Sequence, residues 1–221
     1  MADHDPYSAP RSPVLTTDDD PYRFQPGRRY DLTVGELRLA GWFALLSALL
    51  TIPYYALWFE VSTEGSHALE ELATLAGLLL TAVALYMLSR FRLLLNQRSR
   101  FREADGAIRL TIFLAVGMAV LSVMITLLPD SGVLQVVSFI ASVVYGVALI
   151  RLGRVLRNCR DSLYGKLPLM AVLTIASGGL IASVVLAFLS ALTSLVLDIL
   201  FAVVFFNAAR ELAGTRSEDI A

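Results

Sequence analysis

The sequence predicts an all-α integral membrane protein with six transmembrane helices, and three observations support this fold class. Hydrophobic residues make up 57% of the 221 residues, whereas only 17% are charged. A soluble domain has about 25% charged residues. The apolar residues are concentrated in long stretches, and all basic residues lie outside those stretches. A soluble helical core is disfavoured, because uncharged helices of this length would leave almost no solvated face.

Five apolar stretches define the predicted helices. Four of them carry no formal charge and are each about one span long, at 39–59, 72–89, 110–129 and 133–150. The fifth, 167–209, has 43 residues and one charge, Asp198. Because roughly 20 helical residues cross a bilayer core, this stretch predicts two helices. We place the turn between them near residues 190–193, within the small and hydroxyl residues of SALTS.

The predicted transmembrane domain covers residues 36–213, between an N-terminal tail over 1–35 and a C-terminal tail over 214–221. Its six spans are predicted at 38–59, 68–95, 108–129, 132–153, 167–189 and 193–213.

The basic residues predict the orientation. In this topology all 18 of them lie on one side: five before the first span, six between spans two and three, five between spans four and five, and two after span six. The opposite loops hold only carboxylates, at Glu60, Glu64, Glu70, Glu71 and Asp130. Because cytoplasmic loops carry the excess of Lys and Arg, both termini are predicted to be cytoplasmic.

One motif, R-x-L-x-[N/G]-x-R, follows three of the apolar stretches. The copies read RLLLNQR, RVLRNCR and RELAGTR, and their variable position is Asn96, Asn158 and Gly214. Asn and Gly are the residues that most readily adopt the left-handed conformation after a helix end, so these three are predicted helix C-caps. The arginine one turn earlier complements the negative end of the helix dipole.

A second interpretation of the motif is functional. The paired arginines of the three copies could form a cytoplasmic ring that binds anionic lipid headgroups, or an inner mouth for an anionic solute. The residues of this predicted ring are Arg92, Arg98, Arg154, Arg160, Arg210 and Arg216.

The motif also indicates an internal repeat. A shift of 62 residues superimposes the second copy on the first and aligns Gly117 with Gly179, without a gap. We therefore predict three helical hairpins, from spans 1–2, 3–4 and 5–6, related by a parallel pseudo-repeat. Many transporters are built from such repeats, and so are bundles without transport activity.

Asp198 is the one formally charged residue within the five apolar stretches. Twelve helical residues place it about 18 Å from Arg210 at 1.5 Å per residue, in the outer half of the bilayer. An intramembrane carboxylate indicates a transport or proton site. The structural alternative is an acid in the first turns of a helix, stabilised by the dipole, with Ser194 as a hydrogen-bond donor.

Residues 1–30 are rich in Pro, Asp and Arg, and we predict a disordered tail. The tail contains DPYSAP at residues 5–10 and a second DPY at 20–22. This segment resembles the short Asn/Asp-Pro-Tyr-x-x-Pro tails of uncharacterised bacterial multipass inner-membrane proteins. The resemblance covers about six residues, implies a bacterial cytoplasmic membrane protein, and implies no activity.

The sequence favours a non-catalytic role. The two histidines are His4 in the tail and His67 in an outer loop, and no catalytic or nucleotide-binding motif occurs. Glu64, His67 and Glu71 share a helical spacing that a cation could use, but carboxylates also favour a first helical turn, so we predict no metal and no cofactor. The expected partners are the lipid bilayer, anionic lipids and a homo-oligomer or larger membrane assembly, with no nucleic acid. The predicted function is an accessory, assembly or lipid-interacting membrane protein. A small channel or carrier that uses Asp198 is the alternative.

Overall fold

The computed structural model describes residue 24 and residues 31–64, 67–183 and 189–218, without the side chains of 62–64, 67 and 216–218. This part of the chain is all-helical, as predicted. Its six helices are α1 (Val34–Glu64), α2 (His67–Arg98), α3 (Ala104–Leu127), α4 (Gly132–Arg157), α5 (Leu167–Ala182) and α6 (Ser190–Glu218).

Five of the six described helices are long and apolar enough to cross a membrane. At most 28% of the apolar stretch in any of the five is buried within the protein. Most of these side chains therefore face outward, which suits lipid rather than water. The remaining helix, α5, is also apolar but has only 16 residues, or about 24 Å at 1.5 Å per residue. Residues 184–188, which complete the predicted span 167–189, lie outside the described part.

The helices pack as a closed ring. Each helix contacts the next along the chain, and α1 contacts α6. The most extensive contacts join α4 to α5 and α1 to α6, that is, between the predicted hairpins rather than within them. The α4–α5 contact requires glycine, since a Cβ atom on Gly146 would lie 2.5 Å from the carbonyl oxygen of Gly178. Small residues allow this close helix approach in membranes.

One end of the ring carries most of the arginines, and we call it the basic end. It consists of the start of α1, α3 and α5, the last turns of α2, α4 and α6, and the α2–α3 and α4–α5 loops. The buried hydrophobic cluster lies in this half of the molecule. Its centre is aromatic, with the Phe91 and Phe201 rings 5.0 Å apart and Phe201 stacked on Phe205 at 6.0 Å.

Polar pairs between neighbouring helices tie the other half together. Thr74 of α2 bonds Thr126 of α3 over 2.8 Å, and the hydroxyl groups of Ser177 and Thr193 lie 2.6 Å apart. The hydroxyls of Tyr55 and Ser190 are 3.1 Å apart across the α1–α6 contact. In a low-dielectric environment such bonds satisfy groups that would otherwise be costly.

Two of the three predicted C-caps are wrong. Helix α2 continues past Asn96 to Arg98, and the Asn96 side-chain amide donates to Asp105 Oδ1 over 2.7 Å. The left-handed residue after α2 is Arg100, with φ 53°. Helix α6 likewise continues through Gly214 to Glu218. Asn158 does hold the C-cap position of α4, but with a right-handed φ of −83°.

The predicted turn at residues 190–193 is also wrong, because these residues form the first turn of α6. The Thr193 hydroxyl donates to the Ser190 carbonyl oxygen over 2.9 Å. Threonine is common in turns, but here its hydroxyl forms a hydrogen bond within the helix. Asp198 consequently lies eight residues into α6, about 12 Å from its start. The connection to α5 precedes Ser190.

Most of the predicted N-terminal tail, 1–35, lies outside the described residues, and its described part packs on the bundle and leads into α1. Phe24 and Leu32 are almost fully buried, at 1% and 0% exposed. Thr33 and Glu36 then form a capping box that starts α1, with Thr33 N–H donating to Glu36 Oε2 over 3.0 Å and Glu36 N–H to Thr33 Oγ1 over 3.2 Å. Phe24 and Leu32 are therefore buried, and the capping box fixes the start of α1.

Candidate functional site

The most organised polar site on the described chain is a buried ion cluster at the basic end. Its centre is Arg98, the last residue of α2, which pairs with Asp161 of the α4–α5 loop and with Glu211 of α6. Arg98 Nε donates to Glu211 Oε2 over 3.1 Å, and Arg98 Nη1 donates to Asp161 Oδ2. The Arg98 and Asp161 side chains are each 3% exposed and that of Glu211 is 11% exposed. Buried charges of this kind require partners, because desolvation of an unpaired charge is costly.

Tyr164 completes the cluster from the α4–α5 loop. The Arg98 guanidinium lies 4.7 Å from the centre of the Tyr164 ring, a cation–π contact. The Tyr164 hydroxyl donates to Glu211 Oε2. Burial raises the pKa of Tyr164, and the hydrogen bond to Glu211 raises it further, so the phenol stays protonated as a donor.

The backbone of this loop has a strained conformation. Leu163 and Tyr164 have positive φ angles of 41° and 59°, and Gly165 follows at 73°. A left-handed non-glycine residue costs about 1–2 kcal/mol and persists only where surrounding contacts determine it. Those contacts include a hydrogen bond of 2.8 Å from Leu163 N–H to Asp161 Oδ1. The cluster therefore holds the loop as well as the helices.

The N-terminal segment also reaches the cluster. Phe24 N–H donates to Glu211 Oε1 over 2.8 Å, so both carboxylate oxygens of Glu211 are occupied. Farther along, Leu32 N–H donates to Gln97 Oε1 over 3.3 Å. Four parts of the chain thus meet at one point: the N-terminal segment, the end of α2, the α4–α5 loop and the end of α6. This arrangement is suited to holding the four parts together, and we call it the clamp. Its charged groups pair with one another within the protein.

The members of the predicted arginine ring differ in their surroundings. Arg98 is buried in the ion cluster, and Arg92 pairs with Asp105 over 3.1 Å. Arg154, Arg160 and Arg210 are exposed, and the Arg216 side chain lies outside the described part. The three copies of the motif therefore have different surroundings despite their common pattern.

Asp198 lies at the α1–α6 contact. Its Oδ2 atom accepts a hydrogen bond of 2.7 Å from the hydroxyl of Ser47, so Ser47 of α1, and not Ser194, is the hydrogen-bond donor in the described structure. Ser47 is 8% exposed and Asp198 is partly buried. Spacings of three and seven residues put Asp198 on the same face of α6 as the buried Phe201 and Phe205.

The helical spacing of Glu64, His67 and Glu71 cannot be followed in the described structure. Glu64 and His67 have side chains outside the described part. Among the residues that the structure does describe, no three His, Cys, Asp or Glu side chains gather in a way that could hold a metal ion.

Sequence reasoning missed Asp161, Tyr164, Glu211 and Ser47. A signal for two of them was available: Asp161 and Glu211 are acids that directly follow Arg160 and Arg210 of the repeated motif. An acid among cytoplasmic arginines is a candidate ion-pair partner. Ser47 carried no such signal, because one serine in an apolar helix is common.

Comparison of the chain with protein-family models, curated proteins and solved structures finds no match.

Proposed function

We propose that this chain is a non-catalytic multipass membrane protein with an accessory, assembly or lipid-interacting role. The ion cluster carries the proposal. Its single arginine lies between two carboxylates at the basic end, at 3–11% side-chain exposure, and these contacts hold four segments together instead of facing a substrate. The polar pairs of the opposite half support the same conclusion, since they too join neighbouring helices.

The proposal includes a topology. All six helices cross the bacterial cytoplasmic membrane as three hairpins in a parallel repeat, with both termini cytoplasmic. The distribution of the 18 basic residues supports it, as does the meeting of the ends of α2 and α6 with the α4–α5 loop at one cluster. The outward-facing apolar surfaces support contact with lipid and with further copies of the chain.

Labelling of introduced cysteines tests this topology. In a Cys159→Ser background, cysteines at positions 68 and 102 are expected to react with a membrane-impermeant maleimide from opposite sides of the membrane. Reaction of both from the same side would overturn the six-span arrangement.

The second candidate is a small channel or carrier that uses Asp198. The observation that favours it is the position of this carboxylate on the inward face of α6, one turn from the aromatic layer at Phe201. Tyr55 of α1 and Ser190 of α6 add hydroxyl groups to the same half of the ring. Intramembrane carboxylates on inward faces are typical of ion and proton pathways.

Flux measurements separate the two candidates. Wild-type protein and Asp198→Asn are reconstituted into liposomes, and proton and sodium flux are recorded across a pH series. Asn keeps the size of the side chain and can still accept from Ser47, but it removes the ionisable group. The first proposal predicts equal, background-level flux for both proteins. Flux in the wild type that the variant abolishes would refute it in favour of the carrier.

A further inference from the structure

The arginines near the end of α4 have different surroundings from those near the end of α2. Arg90 pairs with Glu36 over 3.0 Å, Arg92 pairs with Asp105, and Arg98 is enclosed by the ion cluster. The last turns of α4 carry Arg151, Arg154 and Arg157, and Arg160 follows just after the helix. All four are exposed, and no described acidic side chain pairs with them.

These four arginines are exposed although the last turns of α4 pack against α5. The buried residues of the same turns are Leu152, Gly153 and Leu156, and a Cβ atom on Gly153 would lie 2.7 Å from the Ala171 carbonyl oxygen of α5. Helical spacing puts Arg151, Arg154 and Arg157 on a shared surface, since residues three apart are neighbours. We call these four residues the α4 arginine stripe.

The stripe concentrates positive charge without internal compensation. Like charges one turn apart repel each other in a helix. The negative end of the helix dipole offsets this repulsion within the last turn only, so it does not reach Arg151. A bound external anion would supply charge compensation that the described part of the chain does not.

The position of the stripe identifies the source of that anion. Residues 133–150 of α4 carry no charge and precede Arg151 directly, so the stripe begins where the apolar surface ends. Arginine can lay its aliphatic stem along such a boundary with the guanidinium at headgroup level. Guanidinium groups bind phosphate oxygens in a bidentate manner.

We propose that the α4 arginine stripe is a binding surface for the phosphate groups of anionic phospholipids. This inference rests on the proposed membrane function and specifies the lipid class that it engages. The predicted contact with anionic lipid is thereby assigned to the end of one helix, α4, instead of to a ring formed by all three motifs. Arg154 and Arg160 belong to both, whereas Arg98 is withdrawn into the ion cluster.

The test measures affinity on the purified full chain in neutral detergent. Three probes are titrated: dioctanoyl phosphatidylglycerol, dioctanoyl phosphatidylcholine and inorganic phosphate, with native mass spectrometry as the readout for the lipids and calorimetry for all three. The wild type is expected to prefer phosphatidylglycerol to phosphatidylcholine. Each arginine contributes about fivefold to binding at an anionic surface, so Arg154→Gln is expected to weaken phosphatidylglycerol binding about fivefold. Substitution of all four residues is expected to abolish the preference for phosphatidylglycerol over phosphatidylcholine.

Arg90→Gln is the matched control. It removes one positive charge from the same end of the molecule, but from a residue already paired with Glu36, and it is expected to leave the affinity unchanged. Circular dichroism and the elution volume of each variant verify folding, and the wild-type comparison of the two lipids needs no variant.

Three results would overturn the proposal. Equal wild-type affinity for the two lipids would remove the headgroup preference, and equal losses in Arg90→Gln and Arg154→Gln would reduce it to net charge. Phosphate binding as tight as phosphatidylglycerol binding would assign the stripe to a soluble anion. None of these results changes the expected topology labelling or ion flux, so failure of the stripe and failure of the proposed function are distinguishable.

Discussion

Replacement of Arg98 by methionine is expected to destabilise the bundle more than any other single arginine substitution at the basic end. Methionine keeps much of the aliphatic volume but leaves Asp161 and Glu211 as buried carboxylates without their cation. The side chains concerned are only 3–11% exposed, so water cannot replace the lost partner. Removing one member of a buried ion pair costs about 3–5 kcal/mol.

Arg92→Met is the matched control. It breaks a pair with Asp105 in which the two side chains are 29% and 26% exposed. Pairs near the surface contribute about 0–1 kcal/mol. A chain of this size loses roughly 2–4 °C of melting temperature per kcal/mol. Arg98→Met is therefore expected to melt roughly 6–20 °C below the wild type, and Arg92→Met no more than about 4 °C below it.

The assay is thermal unfolding in neutral detergent, followed by the fluorescence of Trp42 and Trp58 at a fixed scan rate. A triple variant, Arg98→Met with Asp161→Asn and Glu211→Gln, separates charge from packing. It is expected to recover part of the lost stability, because no uncompensated charge remains. Equal melting temperatures for Arg98→Met and Arg92→Met would contradict the burial of this ion cluster, and so would a triple variant less stable than Arg98→Met alone.

Two further predictions concern the α4–α5 region. Gly178→Ala is expected to destabilise the protein by about 1–3 kcal/mol, because its Cβ atom would lie 2.5 Å from the Gly146 carbonyl oxygen. Gly179→Ala, where a Cβ atom meets nothing within 4 Å, is expected to unfold like the wild type; equal melting temperatures for the two variants would contradict this packing. Burial raises the pKa of the Cys159 thiol above its ordinary value, so less thiolate is present at a given pH. Its alkylation rate by a maleimide is expected to rise at higher pH than that of glutathione, and coincident pH profiles would disprove the shift.

The helices could be predicted from the sequence because their signal is local. Uncharged stretches such as 72–89 and 110–129 predict helices in a membrane, since hydrocarbon offers no water to satisfy backbone amides. Helix ends were predicted less well, although their signal is also local. Asn96 has the residue type of a cap, but it lies within α2 and its side-chain amide donates to Asp105, a contact that a pattern of residue types cannot reveal.

The residues of the candidate site were likewise predictable only where their signal lies close together in the sequence. Asp198 stood out in the sequence because one carboxylate in an apolar stretch is conspicuous, yet its donor Ser47 is 151 residues away. The arginine motif predicted three equivalent positions, whereas the structure gives its members three kinds of surroundings. Arg98 is buried, Arg92 is paired, and Arg154 is exposed without an acidic partner in the described chain.

The sequence by itself determined that this protein is helical, that its helices are apolar enough for a membrane, and that its arginines lie outside the apolar stretches. These properties depend on residues close together in the chain and on the solvent they face. Only the tertiary structure decided which arginine is neutralised by which acid. Arg98 lies 63 residues from Asp161 and 113 residues from Glu211, and Coulombic pairing depends on distance in space. The same packing that encloses Arg98 turns the arginines of α4 outward, and so separates the clamp from the stripe.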